Sequence, residues 1–456
     1  MATINFVGTY DPIVCGIGDY TNFITRQSPE KGWRVISFDL DNLGLQSDNG
    51  SKTLDDHVWY GIPSYNDFSS SAVLKGTTQL NGSISDAVLW FQHEHGIWQD
   101  DDKFVAMLSD IFLPKVVTLH TLHFQSPETS SGLRRSQHEF LAKLFPNVDA
   151  ITVFSNGVYR AVTQAFPQYQ HKVSVLRHGM HFRPDLCSLS RQKAKKLLHE
   201  YLIYDSPLDD SSKKALRREQ VLLDTDAFVI GETGFLCPKK QSGFLYLTRD
   251  LVQLSIRNKR IAALRIGAAR EPIQEEYARR LRKKTDTSNK FLLETRLPED
   301  MLRIAQRAFD INLYWPSECS QSGILAHALG SGAMIAGRDL EGSGEILRES
   351  GAIAEKSLME IVHRIIEHIL CPPNNLAIED KMISYARRYD WASQAILHYD
   401  LAEKIALSPG HDNDGQAWCN RGMFAPALNP ISRITSQNKS VSLRHGKALG
   451  SCRTDS

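Results

Sequence analysis

The stretch WPSECSQSGILAHALGSGAMIAG, residues 315–337, contains the pattern that decides the fold. It continues the apolar run FDINLYW (309–315), passes through a polar loop into a small-residue helical pattern, and ends in the strand-like segment AMIAG. A buried strand, a loop, a helix and a second buried strand are typical of a parallel sheet covered by helices. Ser322 and Gly323 stand where the helix would begin, and the first N–H groups of a helix lack intrahelical acceptors. The stretch therefore predicts an anion-binding helix start at a strand end.

The same alternation of short apolar strands and helices runs through both halves of the chain. The first half contains the predicted strands TINFVGTY, WRVISFDL, DAVLWFQHE, KVVTLHT, DAITVFS and VSVLRHG. The second half contains AFVIGETGFL, AALRIGAA, KFLLET, FDINLYW, GAMIAG and GAIAE. This pattern predicts an α/β protein with two doubly wound, Rossmann-like domains that face a central cleft. We expect the site in that cleft, because open α/β sheets bind ligands at the carboxyl ends of their strands.

The length of the chain supports two domains, because 456 residues exceed what one ordinary core accommodates. We place an N-terminal Rossmann-like domain at 1–185, a helical linker at 186–226 and a C-terminal Rossmann-like domain at 227–386. A helix at 387–408 follows. The tail at 409–456 is rich in Ser, Asn, Gly and Arg and lacks periodicity, so we expect it to be disordered.

The composition is that of a globular cytoplasmic protein. Lys and Arg (53) balance Asp and Glu (52), so no overall charge favours nucleic acid or an anionic membrane. The seven cysteines are scattered without a C-x-x-C pair, which indicates reduced thiols and neither a disulfide framework nor a zinc site. The sequence has no signal-peptide pattern and no uncharged apolar run near about 18 residues, so we expect no membrane span.

A glycine-containing segment, GTYDPIVCGIGDY, follows the first predicted strand. It places Gly16 and Gly18 before a helix predicted from about Asp19 to Gln27. Glycines at such a position let a ligand approach the backbone, although two glycines before a helix also make an ordinary turn. The G-x-G-x-x-G spacing is missing, which argues against a dinucleotide site and hence against a dehydrogenase.

Histidines and a carboxylate gather at two strand ends of the first half. His93, Glu94 and His95 lie in FQHEHGIW, whereas His120 and His123 lie in TLHTLHF. Metal ligation, hydrogen bonding to a neutral ligand and an ordinary buried position are all open for such histidines. We expect no metal, and we favour His120 as a functional residue because it directly follows the buried run KVVTL.

Two lysines follow another strand end, in the loop GFLCPKKQSG. A lysine in a cleft serves as a point charge for phosphate, and we assign this role to Lys240 and a surface position to Lys239. Together with Lys240, the N–H groups near Ile324 and Leu325 would form a diphosphate pocket. An ordinary helix N-cap would equally explain Ser322.

Two carboxylates accompany this predicted pocket. Glu318 precedes the helix, and Glu345 lies in GSGEIL after the next strand. Helix capping explains neither residue. Because carboxylates accept hydrogen bonds from sugar or ribose hydroxyls, we expect this pair to recognise hydroxyl groups.

Six separated motifs can be compared with a known family. They are PIVCGIGDY, QHEHGI, TLHT, the HG at 178–179, GFLCPKK and the segment ECSQSGILAHALGSG. In this order they resemble the retaining glycosyltransferases of family 4, which have the GT-B fold, and especially a mannosyl- and glucosyltransferase-like branch. The likeness covers roughly residues 4–405. It implies a retaining hexosyltransferase that uses a nucleotide diphosphate sugar.

The resemblance also implies roles for the candidate residues. The C-terminal domain would bind a GDP- or UDP-sugar and the N-terminal domain an acceptor, for which we assign His93 and Glu94. His120 would lie beside the transferred sugar, where Glu318 would contact its hydroxyls. The remaining donor-binding residues implied are Gly16, Gly18, Lys240, Ser322, Gly323, Ile324, Leu325 and Glu345. No metal and no cofactor beyond the donor are implied, because a lysine and helix N–H groups would take the leaving-group charge.

Two positions depart from the family pattern. Ala326, followed by His327, stands where a second glutamate is usual, and Phe235 replaces an arginine five residues before Lys240. Either Glu345 takes over the missing carboxylate's role, or donor affinity is weak, or catalysis is lost. The alternatives to a transferase are therefore a degenerate sugar-nucleotide-binding or scaffold protein, and a phosphorylase, synthase or epimerase that uses the same cleft.

The acceptor stays open. A glycan, a lipid-linked sugar, a small metabolite and a modified nucleobase all fit the sequence, which also leaves room for peripheral membrane contact. The donor sugar, the linkage and the oligomeric state are not specified by any motif.

Overall fold

The structure is a computed structural model that describes residues 3–29, 32–45, 56–82, 87–285, 288–371 and 373–407. The tail at 409–456, predicted to be disordered, lies outside the described residues. None of the described helices is both long and apolar enough to cross a membrane.

The first sheet consists of seven parallel strands in the order β3-β2-β1-β4-β5-β6-β7. Its strands are β1 (Thr3–Val7), β2 (Trp33–Phe38), β3 (Val58–Ile62), β4 (Ala87–His93), β5 (Lys115–Leu119), β6 (Ala150–Val153) and β7 (Val173–Val175). The helices between them are α1 (Gly16–Arg26), α2 (Ser70–Asn81), α3 (Asp101–Ser109), α4 (Arg135–Leu144) and α5 (Asn156–Ala165). The central strands β4 and β5 are buried along their whole length, because helices cover both faces of the sheet.

The second sheet has six parallel strands in the order β10-β9-β8-β11-β12-β13. Its strands are β8 (Phe228–Thr233), β9 (Ile261–Gly267), β10 (Lys290–Glu294), β11 (Ile311–Tyr314), β12 (Ile335–Arg338) and β13 (Ile353–Glu355). Its helices are α9 (Gly243–Ser255), α10 (Pro272–Arg282), α11 (Glu299–Ala308), α12 (Gly323–Gly330), α13 (Glu341–Ser350), α14 (Leu358–Leu370) and α15 (Pro373–Arg388). The twelve predicted strands are all present. The run FDINLYW forms β11, and the stretch that follows it forms α12 and β12 as expected.

Three short helices connect the two sheets: α6 (Pro184–Cys187), α7 (Arg191–Glu200) and α8 (Asp210–Glu219). The apolar residues Ala194, Leu198 and Leu216 of this segment share a core with Val229 and Leu264 of the second sheet. The segment 186–226, predicted as a linker, therefore covers a face of the second sheet, because its helices carry an apolar side that has to be buried.

One strand and one helix start differ from the prediction. The sequence analysis missed β3, a five-residue edge strand whose alternating burial is a weak signal. α1 begins at Gly16 and not near Asp19, so Gly16 and Gly18 lie in the first helical turn and not in a loop before it. A Cβ on Gly18 would lie 3.4 Å from the backbone of Tyr10, so the start of this helix packs closely on the loop after β1.

The last helix, α16 (Trp391–Ala406), packs on the first sheet. Asp390 separates it from α15 and caps it, because its side chain accepts the N–H of Ser393 at 2.8 Å. His398 of α16 lies 3.1 Å from the Tyr20 hydroxyl of α1, and the ring of Trp391 lies against Gly179. We refer to the first sheet with α1–α5 and α16 as the first lobe, and to the second sheet with α6–α15 as the second lobe.

Replacing Gly179 by Ala tests this packing of α16. The added Cβ would lie 2.3 Å from the buried Trp391 indole, which is 6% exposed. Because overpacking a core costs about 1–3 kcal/mol, we expect the free energy of unfolding in denaturant titrations to fall by that amount. Gly96→Ala is the control, since nothing lies within 4 Å of the added carbon. Equal stability of the two variants would contradict the described contact.

Candidate active site

The end of β8 positions a partly buried lysine. Gly234 follows the strand with a φ of +100°, which glycine adopts without strain, and a Cβ there would lie 2.5 Å from Lys240 Nζ. Lys240 closes the 3₁₀ turn Pro238–Lys240, and its ammonium donates a hydrogen bond to the carbonyl of Thr233 at 3.4 Å. The lysine side chain is therefore folded back over the strand end.

The charge of this ammonium is only partly compensated, because the nearby carboxylate of Glu232 favours it without pairing with it. Burial lowers the pKa of Lys240 to about 8, and the neighbouring Arg265 guanidinium lowers it as well. Among the described residues, no carboxylate forms an ion pair with it. A partly buried cation without an ion-pair partner is costly, so Lys240 would gain from a bound anion.

The start of α12 lies beside this lysine. Ser322 caps the helix, and its hydroxyl accepts the N–H of Leu325 at 3.3 Å. The cap leaves the N–H groups of Gly323 and Ile324 without an intrahelical acceptor. The side chain of Ile324 lies 3.2 Å from the Cβ position of Gly234, and a small cavity lies between Lys240, Ile324 and Leu325. The structure thus brings the predicted lysine and the predicted helix start together.

A larger cavity of about 300 Å³ lies between the lobes, and we call it the inter-lobe cavity. Its volume is at the lower end of the range of about 300–1,000 Å³ typical of ligand sites. Asp19 and Phe23 of α1 line it from the first lobe. The second lobe contributes residues from the ends of β8, β9 and β10 and from α11 and α12, among them Gly234, Phe235, Gly267, Arg270, Arg296, Glu299, Ile324 and His327.

Two arginines face the inter-lobe cavity. The guanidinium carbon of Arg270 lies 3.6 Å from the centre of the Phe235 ring. Burial, and then the positive charge of Arg296, lower the pKa of Arg270. Neither arginine forms an ion pair within the described part of the chain, so their charges are available to an anionic ligand. Burial, followed by the charge of Glu299, raises the pKa of Asp19 on the opposite wall.

His120 lies at the contact between the lobes. Its Nε2 is 2.6 Å from Gln92 Oε1, and because a carbonyl oxygen only accepts, this nitrogen carries the proton and Nδ1 is an acceptor. Burial lowers the pKa of His120 well below its ordinary value, so the ring is neutral. The hydroxyl of Ser320, in the loop before α12, donates to the His120 carbonyl at 3.4 Å.

Gly16 and Gly18 do not line the inter-lobe cavity themselves. They share the first turn of α1 with Asp19, which lines the cavity. Nothing lies within 4 Å of the Cβ position of Gly16, so the backbone is open there. The two glycines are therefore near the cleft, but Asp19 is the residue of this turn that reaches it.

Glu345 lines neither cavity, so its binding of sugar or ribose stays a prediction that requires its present contacts to open. Its carboxylate accepts hydrogen bonds from Arg177 Nη1 at 2.6 Å and from the N–H groups of Asn156 and Gly157 at 2.6 and 2.7 Å. Asn156 and Gly157 form the first turn of α5, so a carboxylate of the second lobe occupies a helix start of the first. Glu345 joins the lobes.

Glu318 is also engaged between the lobes. It accepts a hydrogen bond from Arg134 of the first lobe at 2.9 Å and pairs with Lys239. Hydrogen bonds from Lys239, and then from Arg134, lower the pKa of Glu318 to about 2. Lys239 is 70% exposed, as expected, but it has this specific partner. A role for Glu318 in sugar binding stays a prediction and requires these contacts to open.

His93 and Glu94 are not brought to the inter-lobe cavity. His93 is 3% exposed, stacks on Phe140 with ring centres 4.6 Å apart, and lies 3.6 Å from Asp101. Glu94 accepts a hydrogen bond from the Thr121 hydroxyl at 2.6 Å. The ring of His93 is buried under α3 and α4, so its assignment to the acceptor stays a prediction that this position does not support.

The sequence analysis overlooked the arginines of the inter-lobe cavity. Arg270 directly follows the predicted strand AALRIGAA, and Arg296 directly follows KFLLET. The rule that selected Lys240, a charged residue at the end of a buried strand, would have found both. Asp19 and Glu299 gave no such signal, because each belongs to a helix whose first turn faces the cleft only in the folded chain.

Replacing Glu345 by Ala separates the two roles considered for this residue. The variant leaves Arg177, whose side chain is 8% exposed, with Glu349 as its remaining ion-pair partner. It also removes the acceptor of two N–H groups at the start of α5. An uncompensated buried charge costs about 3–5 kcal/mol, so with Glu349 still present we expect the free energy of unfolding to fall by roughly 2–3 kcal/mol. Glu276→Ala, which removes an exposed pair on α10, should cost less than about 1 kcal/mol. Unchanged stability in the Glu345 variant would contradict the structural role.

The chain matches no protein-family model and no curated protein. Its structure does match solved structures. HepE (Alr3699) of Anabaena, solved in complex with UDP, is 14% identical with a TM-score of 0.61 over 89% of this chain and 100% of that chain. The UDP-forming α,α-trehalose-phosphate synthase of Burkholderia vietnamiensis is 12% identical with a TM-score of 0.62, over 88% of this chain and 99% of that chain.

An E. coli trehalose-6-phosphate structure with bound UDP-2-fluoro glucose is 11% identical with a TM-score of 0.59, over 90% of this chain and 100% of that one. At such identities the likeness concerns the fold. The two parallel sheets with interleaved helices and the shared architecture agree with the fold class that the sequence predicted. The chain has the GT-B fold.

Proposed function

We propose that the protein is a glycosyltransferase that moves a hexose from a nucleoside diphosphate sugar to an acceptor hydroxyl. The observation that carries the proposal is the partly buried, unpaired ammonium of Lys240 beside the open N–H groups of α12. A cation and a helix start at one point favour a diphosphate over a neutral ligand. The structures of similar fold solved with UDP and UDP-2-fluoro glucose support a uridine nucleotide as the first donor to test, before GDP.

The nucleoside would occupy the inter-lobe cavity. Ile324 lines both this cavity and the small cavity at Lys240, so the two spaces adjoin. A diphosphate at Lys240 would thus lead directly to a nucleoside between the lobes. Arg270 and Arg296 would add positive charge on the same side as the diphosphate.

The chemistry follows from the charge of the pocket. As the bond between the anomeric carbon and the diphosphate lengthens, Lys240 and the N–H groups of Gly323 and Ile324 would stabilise the negative charge that develops. These groups supply the charge stabilisation that a metal provides elsewhere, so we propose a metal-independent reaction.

We further propose that the configuration at the anomeric carbon is retained. The acceptor hydroxyl would attack from the face that the diphosphate leaves, and a leaving phosphate oxygen would accept its proton. The neutral His120 would accept a hydrogen bond from a sugar hydroxyl through Nδ1, since its Nε2 proton is used by Gln92.

A second candidate is a sugar-nucleotide-binding protein without turnover. The observation that favours it is the engagement of both carboxylates expected to recognise hydroxyls. Glu318 pairs with Arg134 and Lys239, and Glu345 pairs with Arg177. A protein of this kind would bind the donor and transfer nothing.

Thermal unfolding with nucleotides tests the proposed pocket. UDP, GDP, ADP and TDP and their sugars are compared on the wild type and on Lys240→Met. We expect one nucleotide family, with UDP first, to raise the melting temperature, since a ligand at about 100 times its Kd stabilises by about 2.7 kcal/mol. The gain should be lost in Lys240→Met and kept in Lys193→Met, which alters an exposed lysine of α7.

Release of the nucleotide distinguishes the two candidates. Acceptor-dependent release of UDP from UDP-glucose supports transfer, whereas binding without release for every acceptor class supports the binding protein. Stabilisation that survives Lys240→Met would contradict the assigned pocket, and no response to any nucleotide would contradict both candidates.

A further inference from the structure

Four side chains at the edge of the inter-lobe cavity form a connected group that the proposed reaction leaves unused. We call Glu299, Arg303, His327 and His181 the Glu299 cluster. A ring nitrogen of each histidine and a carboxylate oxygen of Glu299 all lie within 4.8 Å of one another. The two imidazole rings stack with centres 3.6 Å apart and planes 4° from parallel.

The hydrogen bonds of the cluster fix which histidine nitrogens carry protons. The indole N–H of Trp391 donates to His181 Nδ1 at 3.2 Å, and the Nε–H of Arg303 donates to His327 Nδ1 at 3.4 Å. Indole and guanidinium nitrogens only donate, so both Nδ1 atoms accept. Burial, and then the charge of Arg303, lower the pKa of His327 to about 3, which keeps the ring neutral with its proton on Nε2.

This protonation pattern disfavours a metal and favours hydroxyl groups. A neutral imidazole has one lone pair, and in both histidines a hydrogen bond already uses it. What His327 offers is an N–H donor. Glu299, half-exposed and paired with Arg303, offers a carboxylate acceptor beside it. A donor next to an anionic acceptor matches two adjacent hydroxyls, each of which both donates and accepts.

Arg303 and His181 hold this pair in place. Arg303 is 9% exposed and donates both to Glu299 and to His327, so one guanidinium sets the carboxylate position and the imidazole tautomer. His181 is 6% exposed and accepts a hydrogen bond from Trp391. Because its ring stacks on that of His327, it fixes the plane of the His327 ring. The arrangement is therefore preorganised.

The position of the cluster points to one diol. Glu299 and His327 line the same cavity as Gly234 and Ile324, which border the Lys240 pocket. In a nucleoside diphosphate, the vicinal hydroxyls next to the diphosphate within the nucleoside are those of the ribose. We propose that Glu299 and His327 bind the 2′- and 3′-hydroxyls of the donor's ribose, and that Arg303 and His181 are positioning residues. This inference rests on the proposed function.

Titrations with UDP, 2′-deoxy-UDP and inorganic pyrophosphate test the assignment. The wild type should bind UDP about tenfold or more tightly than 2′-deoxy-UDP, because the deoxy ligand cannot form the hydrogen bond to this site. The ratio should fall to near one in whichever of Glu299→Ala and His327→Phe removes the partner of the 2′-hydroxyl, while pyrophosphate affinity stays unchanged in both. Glu276→Ala and His363→Phe, which alter exposed residues of α10 and α14, should keep the wild-type ratio.

Three results would overturn the inference. A UDP to 2′-deoxy-UDP ratio that is unchanged in both variants would remove the cluster from ribose recognition. A variant that instead changes the ratio of UDP-glucose to UDP affinity would assign the cluster to the hexose. Zn²⁺ that stabilises the wild type but not His327→Phe would show a metal site. In all three cases UDP still binds, whereas a wild type that binds neither UDP nor pyrophosphate would overturn the proposed function as well.

Discussion

The buried ion pair between Arg177 and Glu345 joins the two lobes, and the geometry of the cleft depends on it. The two side chains are 8% and 7% exposed, and Glu345 also receives two N–H groups from the start of α5. This pair is costly to break, because Arg177 would be left with Glu349, whose side chain is 32% exposed, and Glu345 would be left with the two N–H groups. The contact therefore fixes α13 against α5. Because this contact holds the two lobes together, Asp19 of α1 and Glu299 of α11 line opposite walls of one cavity.

The first-turn N–H groups of α5 have a carboxylate acceptor, whereas those of α12 lack one among the described residues. At α5, the N–H groups of the first turn are satisfied by Glu345 from the other lobe. At α12, the cap of Ser322 uses one N–H group, and the neighbouring charge is the ammonium of Lys240, which adds to the positive end of the helix dipole. Like-signed groups at one point raise the free energy of the empty site. An anion relieves that repulsion, and for this reason the pocket at α12 is the one assigned to the diphosphate.

Much of this arrangement could be predicted from the sequence, because its causes are local. Alternating apolar runs predicted twelve strands. Lys240 and Ser322 each follow the end of a predicted strand, and strand ends of one parallel sheet lie at the same edge, so the sequence also predicted that Lys240 lies beside α12. The ion pair of Glu345 could not be predicted, since its partner Arg177 lies 168 residues away in the sequence. The burial of both side chains is set by the packing of the lobes. The same holds for His93, whose neighbours in the core come from α3 and α4. In the sequence, Ala326 stands where a second glutamate is usual and His327 follows it, but only the fold brings His327 to Glu299.

The central claim is that Lys240, which lies beside the start of α12, binds the diphosphate. In the free protein, burial holds the pKa of Lys240 at about 8, and as pH rises through that value the ammonium loses its proton. A bound diphosphate would raise this pKa, so UDP binding at pH 8 should take up about half a proton. Isothermal calorimetry at that pH, in two buffers of different ionisation enthalpy, measures this uptake. The account predicts uptake in the wild type and none in Lys240→Met. UDP binding with no proton uptake in the wild type would contradict it.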